Sequence, residues 1–495
     1  MSGNGSNGGR TTRDIVAKLW KLCDNLQGGG VSYKDYVNEL TYLLFLKMLE
    51  ETNREDLIPA PYRWRKLYEK AGEEQLLHYR RTLLELGDTT GKRGVAPIVV
   101  AIYTDAKTAL NKPVDLAGLV KAIEEIDWFS AKEDGLGDLY EGLLEKTTSE
   151  KKSKAGQYFT PRPLIDCIVR LVKPQPGEVI QDPAAGTGGF LIASDTYIKA
   201  HTDNLYQLEA ARAAFQRERA YVGSEFVRDT YRLCLMNLLL HGIDSMIQPD
   251  DSLEAAGEAL GKAELVLTNP PFNRFPTTTN RADFSITAAA RKGPMPFVEH
   301  VVRALQPGGR AAIVVPDPVL YDDDTGRRLR SWMMELCDVH TILRLPTGIF
   351  YAQGVKTNVL FLTRGRSDRG NTQAVWVYDL RANMPAFGKT RPLTTDVFKE
   401  FESAFGDDPY GKAARVDTGE QGRFRCFTRE EIKARDDSLE LAWLRGAVED
   451  PEDELTEPED IAAAILGHLK NALEEIEGLT EAIEPRGAET IEATA

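Results

Sequence analysis

The chain has 495 residues, of which 42% are hydrophobic and 28% are charged, so it can bury a large core divided among about two to four domains. No apolar run approaches the roughly 18 to 20 residues that span a bilayer, and the Gly, Ser and Asn-rich start is unlike a signal peptide. We therefore expect a cytoplasmic protein without membrane association. Five scattered cysteines and six histidines without ligand spacing favour reduced thiols and predict no metal site.

The net charge of −15 is unevenly distributed along the chain. Residues 436 to 495 contain 18 acidic and three basic side chains, whereas residues 1 to 435 carry 58 of each sign. The acidity therefore belongs to the C-terminal tail, and the body lacks the basic field of a protein that binds nucleic acid alone. If DNA is the substrate, we expect another subunit to supply much of the contact with phosphate.

The first third of the chain has a helical pattern. Residues 1–11 are expected to form a flexible tail, and residues 12–150 an all-α N-terminal domain, because apolar residues such as Ile15, Leu19 and Leu22 recur at helical spacing. The polar, Lys-rich segment 147–156 follows. We interpret it as a solvated linker, with a DNA-contacting strip as the alternative.

Residues 151–435 have a different pattern, in which short apolar strands alternate with helical stretches. This pattern predicts an α/β domain with a doubly wound, Rossmann-like parallel sheet covered by helices on both faces. The predicted strands are 179–181, 221–223, 265–267, 310–315, 341–345 and 358–362, and the predicted helices include 164–171, 230–240 and 298–305. Such sheets bind ligands beyond the carboxyl ends of their strands, where Asp182 and Asn269 fall.

A glycine-rich turn, Asp182 to Phe190, follows the first predicted strand and leads into a helix. Glycines allow close approach of a ligand, and the Asp182 carboxylate can accept hydrogen bonds from a cationic amino group. Leu191 stands where a dinucleotide fingerprint requires glycine, which argues against a dehydrogenase. Glu225 follows the next strand and suits ribose hydroxyls, and Asp251 closes another candidate strand and could reach an adenine amino group. Each acid alone could be a cap or turn residue, but their joint order favours a cofactor site.

The tetrapeptide Asn269-Pro270-Pro271-Phe272 ends the strand 265–267 and is the best indication of chemistry. Its residue types suit one reaction, the methylation of a conjugated amino group. That reaction requires acceptors that hold both amino protons and favour a nucleophilic geometry at nitrogen. The Asn269 side-chain oxygen and a backbone carbonyl can do this, because the two prolines fix the direction of the chain. Phe272 can then stack on a planar base. The alternative is a simple turn after a strand.

The acidic tail, residues 436–495, is predicted to contain an amphipathic helix. Apolar residues after Pro458 fall on heptad-like spacing among glutamates, namely Leu466, Leu469, Leu473, Ile476 and Ile483. This helix could dock on a partner subunit or fold back on its own domain.

Over nearly its whole length the chain resembles the modification (M) subunit of type I restriction-modification systems, a family of N6-adenine DNA methyltransferases. The resemblance covers the glycine-rich turn, the Asn269 tetrapeptide and several further segments. These are Leu43 to Glu50, Gly156 to Arg162, Leu345 to Phe350 and Val355 to Asn358. Asn273 is a modest departure, because glycine is common at that position in the family.

The resemblance implies S-adenosyl-L-methionine as methyl donor. The cofactor-binding residues that it implies are Gln157, Tyr158, Phe159, Thr160, Pro161, Arg162, Thr187, Gly188, Gly189 and Glu225, to which the patterns above add Asp182, Gly186 and Asp251. The implied catalytic residues are Asn269, Pro270, Pro271 and Phe272. The target adenine is expected to leave the double helix, because its N6 is paired inside the stack. The segment Arg274 to Arg281 is then either a mobile DNA-side loop or an uninvolved surface loop.

The resemblance also implies partners. These are double-stranded DNA, a specificity (S) subunit that reads its sequence, a second M subunit and a separate motor-nuclease (R) subunit. Two other functions remain open on the tetrapeptide alone. One is methylation of cytosine N4, of RNA bases or of a protein glutamine, and the other is a scaffold that binds cofactor or partner without turnover.

Overall fold

The structure is a computed structural model that describes residues 33–91, 94–126, 128, 160–350, 355–385, 387, 391–444, 465 and 469. Several predicted features therefore lie outside the described residues. They are the tail 1–11, the first helical segment 12–32, the linker 147–156, the cofactor residues Gln157, Tyr158 and Phe159, and the segment after Pro458 except for Ile465 and Leu469.

The described N-terminal part is helical, as predicted. Its α-helices are α1 (Tyr33–Glu51), α2 (Trp64–Tyr68), α3 (Gly72–Leu86), α4 (Pro97–Tyr103) and α5 (Pro113–Glu124), and its 3-10 turns are Glu55–Leu57 and Ala60–Tyr62. Helices α4 and α5 each begin with a proline, which lacks the N–H group that the first turn leaves unpaired. Apolar side chains on every one of these α-helices join one buried cluster. The domain boundaries themselves stay a prediction.

A mixed sheet of eight strands forms the described part of the second domain. The strands are β1 (Ile180–Asp182), β2 (Tyr221–Gly223), β3 (Ala263–Thr268), β4 (Leu305–Pro316), β5 (Cys337–Arg344), β6 (Thr357–Arg364), β7 (Ala374–Asp379) and β8 (Phe424–Thr428). Their order across the sheet is β2-β1-β3-β4-β6-β5-β7-β8. The six predicted strands are all present, although β4 and β5 begin five and four residues earlier than predicted, whereas β7 and β8 were not predicted.

The sheet is not wholly parallel, which corrects the prediction. Strands β2, β1, β3 and β4 are parallel neighbours, but β6 runs antiparallel between β4 and β5, and β8 runs antiparallel to β7. Hydrophobic periodicity identifies a strand without giving its direction, because side chains alternate in the same way in both directions. Mixed sheets of this kind are common among doubly wound folds.

Helices cover both faces of the sheet, which confirms the doubly wound α/β class. They are α6 (Arg162–Val172), α7 (Gly189–Ala200), α8 (Ala210–Glu218), α9 (Arg228–Leu240), α10 (Pro294–Ala304), α11 (Pro318–Tyr321), α12 (Thr325–Leu336), α13 (Lys399–Phe405) and α14 (Arg429–Lys433), with 3-10 turns Ala255–Leu260 and Thr395–Phe398. In β4, Ala312 and Val314 join the cluster under α6 and α7, whereas Ile313 and Val315 join the cluster under α10 and α12. Both faces are therefore buried.

The parallel strands place four polar side chains at one edge of the sheet. Asp182 is the last residue of β1, Glu225 lies two residues after β2, and Asn269 and Asp317 directly follow β3 and β4. Because β1, β2, β3 and β4 are parallel neighbours, their carboxyl ends meet at the same edge. This edge contains the candidate site.

Candidate functional site

Asn269 presents an unpaired acceptor at the end of β3. Its Nδ2 donates a hydrogen bond to Thr160 Oγ1 at 2.8 Å. Its Oδ1 is buried and has no hydrogen-bond partner among the described residues. A buried acceptor without a partner costs about 1–3 kcal/mol, so such an atom calls for a functional reason. The amide therefore offers one acceptor to a donor that enters the site.

Phe272 is held against a second aromatic ring. It is 7% exposed, and Phe350 packs edge-on against it with ring centroids 5.4 Å apart and an interplanar angle of 86°. Pro270 between β3 and Phe272 is buried and Pro271 is half-buried. The tetrapeptide is thus a rigid, packed segment rather than an exposed surface turn. The contact with Phe350 was not predicted, although Phe350 lies in one of the segments that carried the resemblance.

The three glycines of the turn after β1 have different surroundings. Gly188 has φ +84°, and an added Cβ would lie 3.3 Å from Cys234 Sγ. At Gly189 an added Cβ would lie 2.9 Å from Ile165 Cδ1. Gly186, by contrast, would meet nothing closer than the Ala184 carbonyl oxygen at 4.0 Å. Gly188 and Gly189 therefore serve helix packing, whereas Gly186 faces open space that a ligand can approach.

Glu225 joins the glycine-rich turn to the end of β2. Its Oε2 accepts from the Gly186 N–H at 3.0 Å and its Oε1 from the Val227 N–H at 2.7 Å. Burial raises the pKa of Glu225 to about 7, against these two hydrogen bonds, and the nearby Asp182 raises it further. Burial likewise raises the pKa of Asp182 to about 7, although the Thr268 hydroxyl and the Ala184 N–H lower it. Two carboxyl groups thus lie buried without a cationic partner among the described residues.

A cation would favour the ionised form of both groups. The acceptor oxygens of Asp182 and Glu225 and the open space at Gly186 fit a ligand that carries an amino group, hydroxyl groups and a positive charge. S-adenosylmethionine has all three. The Thr187 carbonyl oxygen accepts from Asn237 Nδ2 at 2.9 Å, which ties the turn to α9.

Asp251 differs from its predicted setting. Among the described residues, no strand ends directly before Asp251. Instead, an isolated β-bridge pairs Gln248 with Ser224. Its Oδ2 accepts from Lys292 Nζ at 2.9 Å, and the same ammonium group contacts Glu254. The strand was predicted wrongly because a short polar turn follows the bridge. Lys292 had no signal in the sequence, since it lies 41 residues further on.

The segment before α6 is described from Thr160 onward. Thr160 contacts Asn269, and the Pro161 carbonyl accepts from the Leu164 N–H to begin the helix. Arg162 lies 3.1 Å from Asp166 one turn along the same helix. Thus the structure brings Thr160 beside the tetrapeptide, whereas this ion pair holds Arg162 along the helix surface.

Arg381 connects several strand ends near the site and was missed by the sequence analysis. Its guanidinium donates to both carboxylate oxygens of Asp317, at 2.8 and 2.9 Å, and to the carbonyls of Thr357 and Leu345. Asn358 Nδ2 also donates to Asp317, at 2.8 Å. We call these contacts of Arg381, Asp317 and Asn358 the Arg381 hub. Through the Leu345 carbonyl, it fixes the start of the segment that carries Phe350. Val355 to Asn358 resembles a family segment, but the partners of Thr357 and Asn358 are remote in sequence.

The loop after the tetrapeptide is anchored at several points. The Glu299 carboxylate accepts from the backbone N–H groups of Ser285 and Thr287, and the Thr279 hydroxyl donates to the Thr287 carbonyl. Arg281 Nη1 contacts His300 Nδ1 at 2.9 Å. Because arginine can only donate, His300 Nδ1 is the acceptor, and burial lowers the His300 pKa to about 3. The loop is therefore a preorganised element beside the site.

The described residues contain no group of three or more His, Cys, Asp or Glu side chains that could hold a metal ion. Over the same residues, no helix has the length and apolar character needed to cross a membrane.

Comparisons with known proteins identify the family. The N-6 DNA methylase family matches residues 131–451, and the HsdM N-terminal domain family matches residues 15–123. The methylase subunit of the type I restriction enzyme EcoKI from Escherichia coli strain K12 is 45% identical over 94% of each chain. A crystal structure of the EcoKI M protein matches 95% of this chain and 96% of that one, with 41% identity and a TM-score of 0.57.

A further structural match comes from work on complex assembly and conformational transition of a type I restriction-modification system. That chain is 25% identical, with a TM-score of 0.68, and the match covers 97% of this chain and 100% of the other. Together the comparisons confirm the resemblance and the predicted enzyme class, an adenine-specific DNA methyltransferase. The chain therefore belongs to the family of N-6 DNA methylases that comprises the methylase subunits of type I restriction enzymes.

Proposed function

We propose that this subunit methylates N6 of an adenine that is extruded from double-stranded DNA, and that Asn269, Pro270 and Phe272 form the site for that base. The observation that carries this proposal is the buried, unpaired Oδ1 of Asn269 at the carboxyl end of β3. An exocyclic amino group has two hydrogens to donate, and Oδ1 together with the Pro270 carbonyl gives two acceptors. Phe272, fixed by Phe350, stacks on the base.

The rate enhancement comes from positioning and from fixed dipoles. Two acceptors hold the hydrogens of the target amino group. They draw the nitrogen lone pair out of conjugation with the ring and stabilise the positive charge that develops on this nitrogen. The prolines prevent the acceptors from relaxing toward other directions. The proton that the product nitrogen loses passes to solvent, so no base with a shifted pKa is required at the target.

Methyltransferases of this kind generally use S-adenosylmethionine, which supplies an electrophilic methyl group on a sulfonium sulfur when it is bound. We assign its binding to the edge formed by Asp182, the turn from Gly186 to Gly189, and Glu225. Asp182 would accept hydrogen bonds from its amino group and Glu225 from its ribose hydroxyls. Thr160, Pro161 and Arg162 and the preceding Gln157, Tyr158 and Phe159 belong to the same region by family resemblance. We assign Asp251 to the adenine end of the cofactor. Its carboxylate also accepts a hydrogen bond from Lys292 Nζ.

The family and the charge distribution support the proposed partners. Type I systems assemble several subunits, and the neutral body of this chain suits a complex in which another subunit holds much of the DNA backbone. We assign recognition of the DNA sequence to a specificity subunit, with two copies of this chain per complex, and cleavage to a separate motor-nuclease subunit. The acidic tail 436–495 is the proposed docking segment.

The function is tested by methyl transfer from tritiated S-adenosylmethionine to unmethylated DNA, with this chain alone and with its specificity subunit, followed by nucleoside analysis. We expect label in N6-methyladenine. Asn269→Ala should lower the rate by roughly 100- to 1,000-fold, because it removes one of two preorganised acceptors. Asn111→Ala, the same change at an exposed site, is the matched control and should leave the rate unchanged. Label in N4-methylcytosine or in protein, or undiminished transfer by the Asn269 variant, would refute the assignment.

A further inference from the structure

A single hydrogen bond joins two segments of the site that are 109 residues apart. Asn269 Nδ2 donates to Thr160 Oγ1 at 2.8 Å, and this is the one hydrogen bond of the Asn269 side chain among the described residues. Family resemblance places Thr160 in a cofactor-binding motif. Its contact in the structure is instead with the amide proposed to hold the target amino group.

The orientation of the Asn269 amide decides what it offers to a base. One end of a carboxamide carries two donors and the other end is an acceptor, and the two ends have nearly the same shape. An adenine amino group donates hydrogen bonds, so it requires the oxygen. A rotation of the amide by 180° would present N–H groups to it, and the two sets of donors would repel each other. A group that accepts from Nδ2 is therefore needed to fix the productive orientation.

We propose that Thr160 is a positioning residue for the transfer, which accepts from Asn269 Nδ2 and so directs Oδ1 toward the target amino group. This inference rests on the proposed function of Asn269. The arrangement is one-sided: Nδ2 has a partner, whereas Oδ1 is buried without one. Replacing the hydroxyl by a methyl group would leave both ends of the amide unpaired, and the two orientations would then have similar energies.

Thr160 is itself held in place by the chain around it. The following proline restricts the backbone of Thr160 to extended conformations. Pro161 is the N-cap residue of α6, and its carbonyl accepts from the N–H groups of Leu164 and Ile165 at 3.0 and 3.2 Å. Helix α6 packs against α7 and β4, with Leu164 and Ile168 fully buried. The hydroxyl oxygen is therefore a fixed reference point for the amide rather than a flexible surface group.

The two roles of Thr160 predict different kinetics. A cofactor ligand would change the dissociation constant of S-adenosylmethionine and leave the rate at saturating cofactor unchanged. A residue that orients Asn269 would leave cofactor affinity unchanged and lower the rate of the transfer step itself. Single-turnover rates at saturating cofactor and a direct binding measurement separate the two cases.

The test uses the full chain assembled with its specificity subunit, whose wild-type methylation of adenine first verifies the proposed function. Thr160→Ser keeps the acceptor and should stay within about threefold of the wild-type rate. Thr160→Val keeps the volume without the acceptor and should lower the single-turnover rate about 10- to 100-fold, with cofactor affinity within about threefold. Thr160→Ala, which introduces no clash, should also lower the single-turnover rate and leave cofactor affinity within about threefold. In an Asn269→Ala background, Thr160→Val should add no further loss, because no amide remains to be oriented.

Three results would overturn the proposal. One is a full rate for both the valine and the alanine variants. Another is a loss of cofactor affinity that accounts for the whole effect, which would return Thr160 to the cofactor site. The third is failure of both variants to fold, which would assign Thr160 to packing. If instead the wild-type complex does not methylate adenine, the proposed function fails, and the role of Thr160 fails with it.

Discussion

Asp182 and Glu225 are each buried at the candidate cofactor site, and burial raises the pKa of each to about 7. Unfolded chains titrate these groups near their ordinary values, about 4. Because the folded pKa is higher, folding favours the protonated form, and this contribution to stability is lost as the pH rises from about 4 through about 7. Above that range both groups are charged in a site without a counter-charge among the described residues. A bound cationic ligand would supply that counter-charge.

The affinity for S-adenosylmethionine should therefore increase with pH. A bound cation favours the carboxylates and lowers their pKa, so binding releases protons when the free site is still protonated. Between pH 5.5 and pH 7, where the amino group of the ligand stays charged, we expect the dissociation constant to fall roughly three- to tenfold. Titration calorimetry in buffers of different ionisation enthalpy measures the released protons. Asp182→Asn should reduce that release, and a pH-independent affinity with no release would contradict the proposal.

The residue types of the site could be predicted from the sequence, but their partners could not. Asp182, Glu225 and Asn269 follow strands that hydrophobic patterning identifies, and parallel strands bring such residues to one edge. The contacts of Thr160 with Asn269 and of Lys292 with Asp251 join residues 109 and 41 positions apart. Hydrogen-bond geometry across such separations depends on the packed fold, and no local pattern encodes it.

At the scale of the element, continuous apolar strands were predicted closely, whereas the edge strand β8 was not predicted. Predicted and observed bounds agree to within two residues for β1, β2, β3 and β6. Of these, β3 and β6 contain the continuous apolar runs that mark buried strands, Leu265 to Leu267 and Val359 to Leu362. Strand β8 reads Phe-Arg-Cys-Phe-Thr, with only its first residue buried, so its pattern is that of an edge strand. Strand β6 runs antiparallel to both β4 and β5, a direction that hydrophobic patterning does not encode.

The Arg381 hub should stabilise the ends of β4 and β6. Arg381→Met would leave Asp317 buried without its cation, and the expected loss is about 3 kcal/mol of unfolding free energy. Burial raises the pKa of Asp317, but the Arg381 pair outweighs it and lowers the pKa below its usual value. The destabilisation should therefore shrink as the pH falls and Asp317 becomes protonated in the variant. Denaturant unfolding at pH 4.5 and pH 7.5 measures both effects.

Two further variants make the Arg381 experiment specific. Arg366→Met, the same change at an exposed position, should alter stability by less than about 0.5 kcal/mol. Asp317→Asn in the Arg381→Met background should recover part of the loss, because it removes the uncompensated charge. An equal loss at both pH values, without recovery by the second change, would show that the apolar stem of Arg381 matters rather than its charge.

At the scale of the whole molecule, the N-terminal helices and the sheet share a core. One buried cluster includes Phe45 and Tyr103 of the helical part together with Leu235 of α9 and Leu267 of β3. Helix α9 contacts both α1 and α4, and it also supplies the Asn237 amide that ties down the glycine-rich turn. A change in the packing of the N-terminal helices can therefore reach the candidate cofactor site through α9.

Two arginines on α9 reach the same N-terminal segment and allow a matched test of this coupling. Arg232 is 6% exposed, donates to the Thr104 carbonyl and lies over the ring of Tyr42, whereas the Arg228 pair with Asp105 is largely exposed. Arg232→Met should cost about 1–3 kcal/mol, because it leaves a carbonyl without its donor, and Arg228→Met should cost less than about 1 kcal/mol.

Hydrogen exchange measured by mass spectrometry gives the result region by region. In the wild type we expect peptides from α1, α4 and α9 to open with the same free energy, since they bury one another. In Arg232→Met these peptides should exchange faster together, while β4 and β6 in the centre of the sheet stay protected. Equal effects of the two substitutions would show that charge alone holds the parts together. Faster exchange confined to α1 and α4, with α9 unchanged, would show that α9 does not transmit the change to the site.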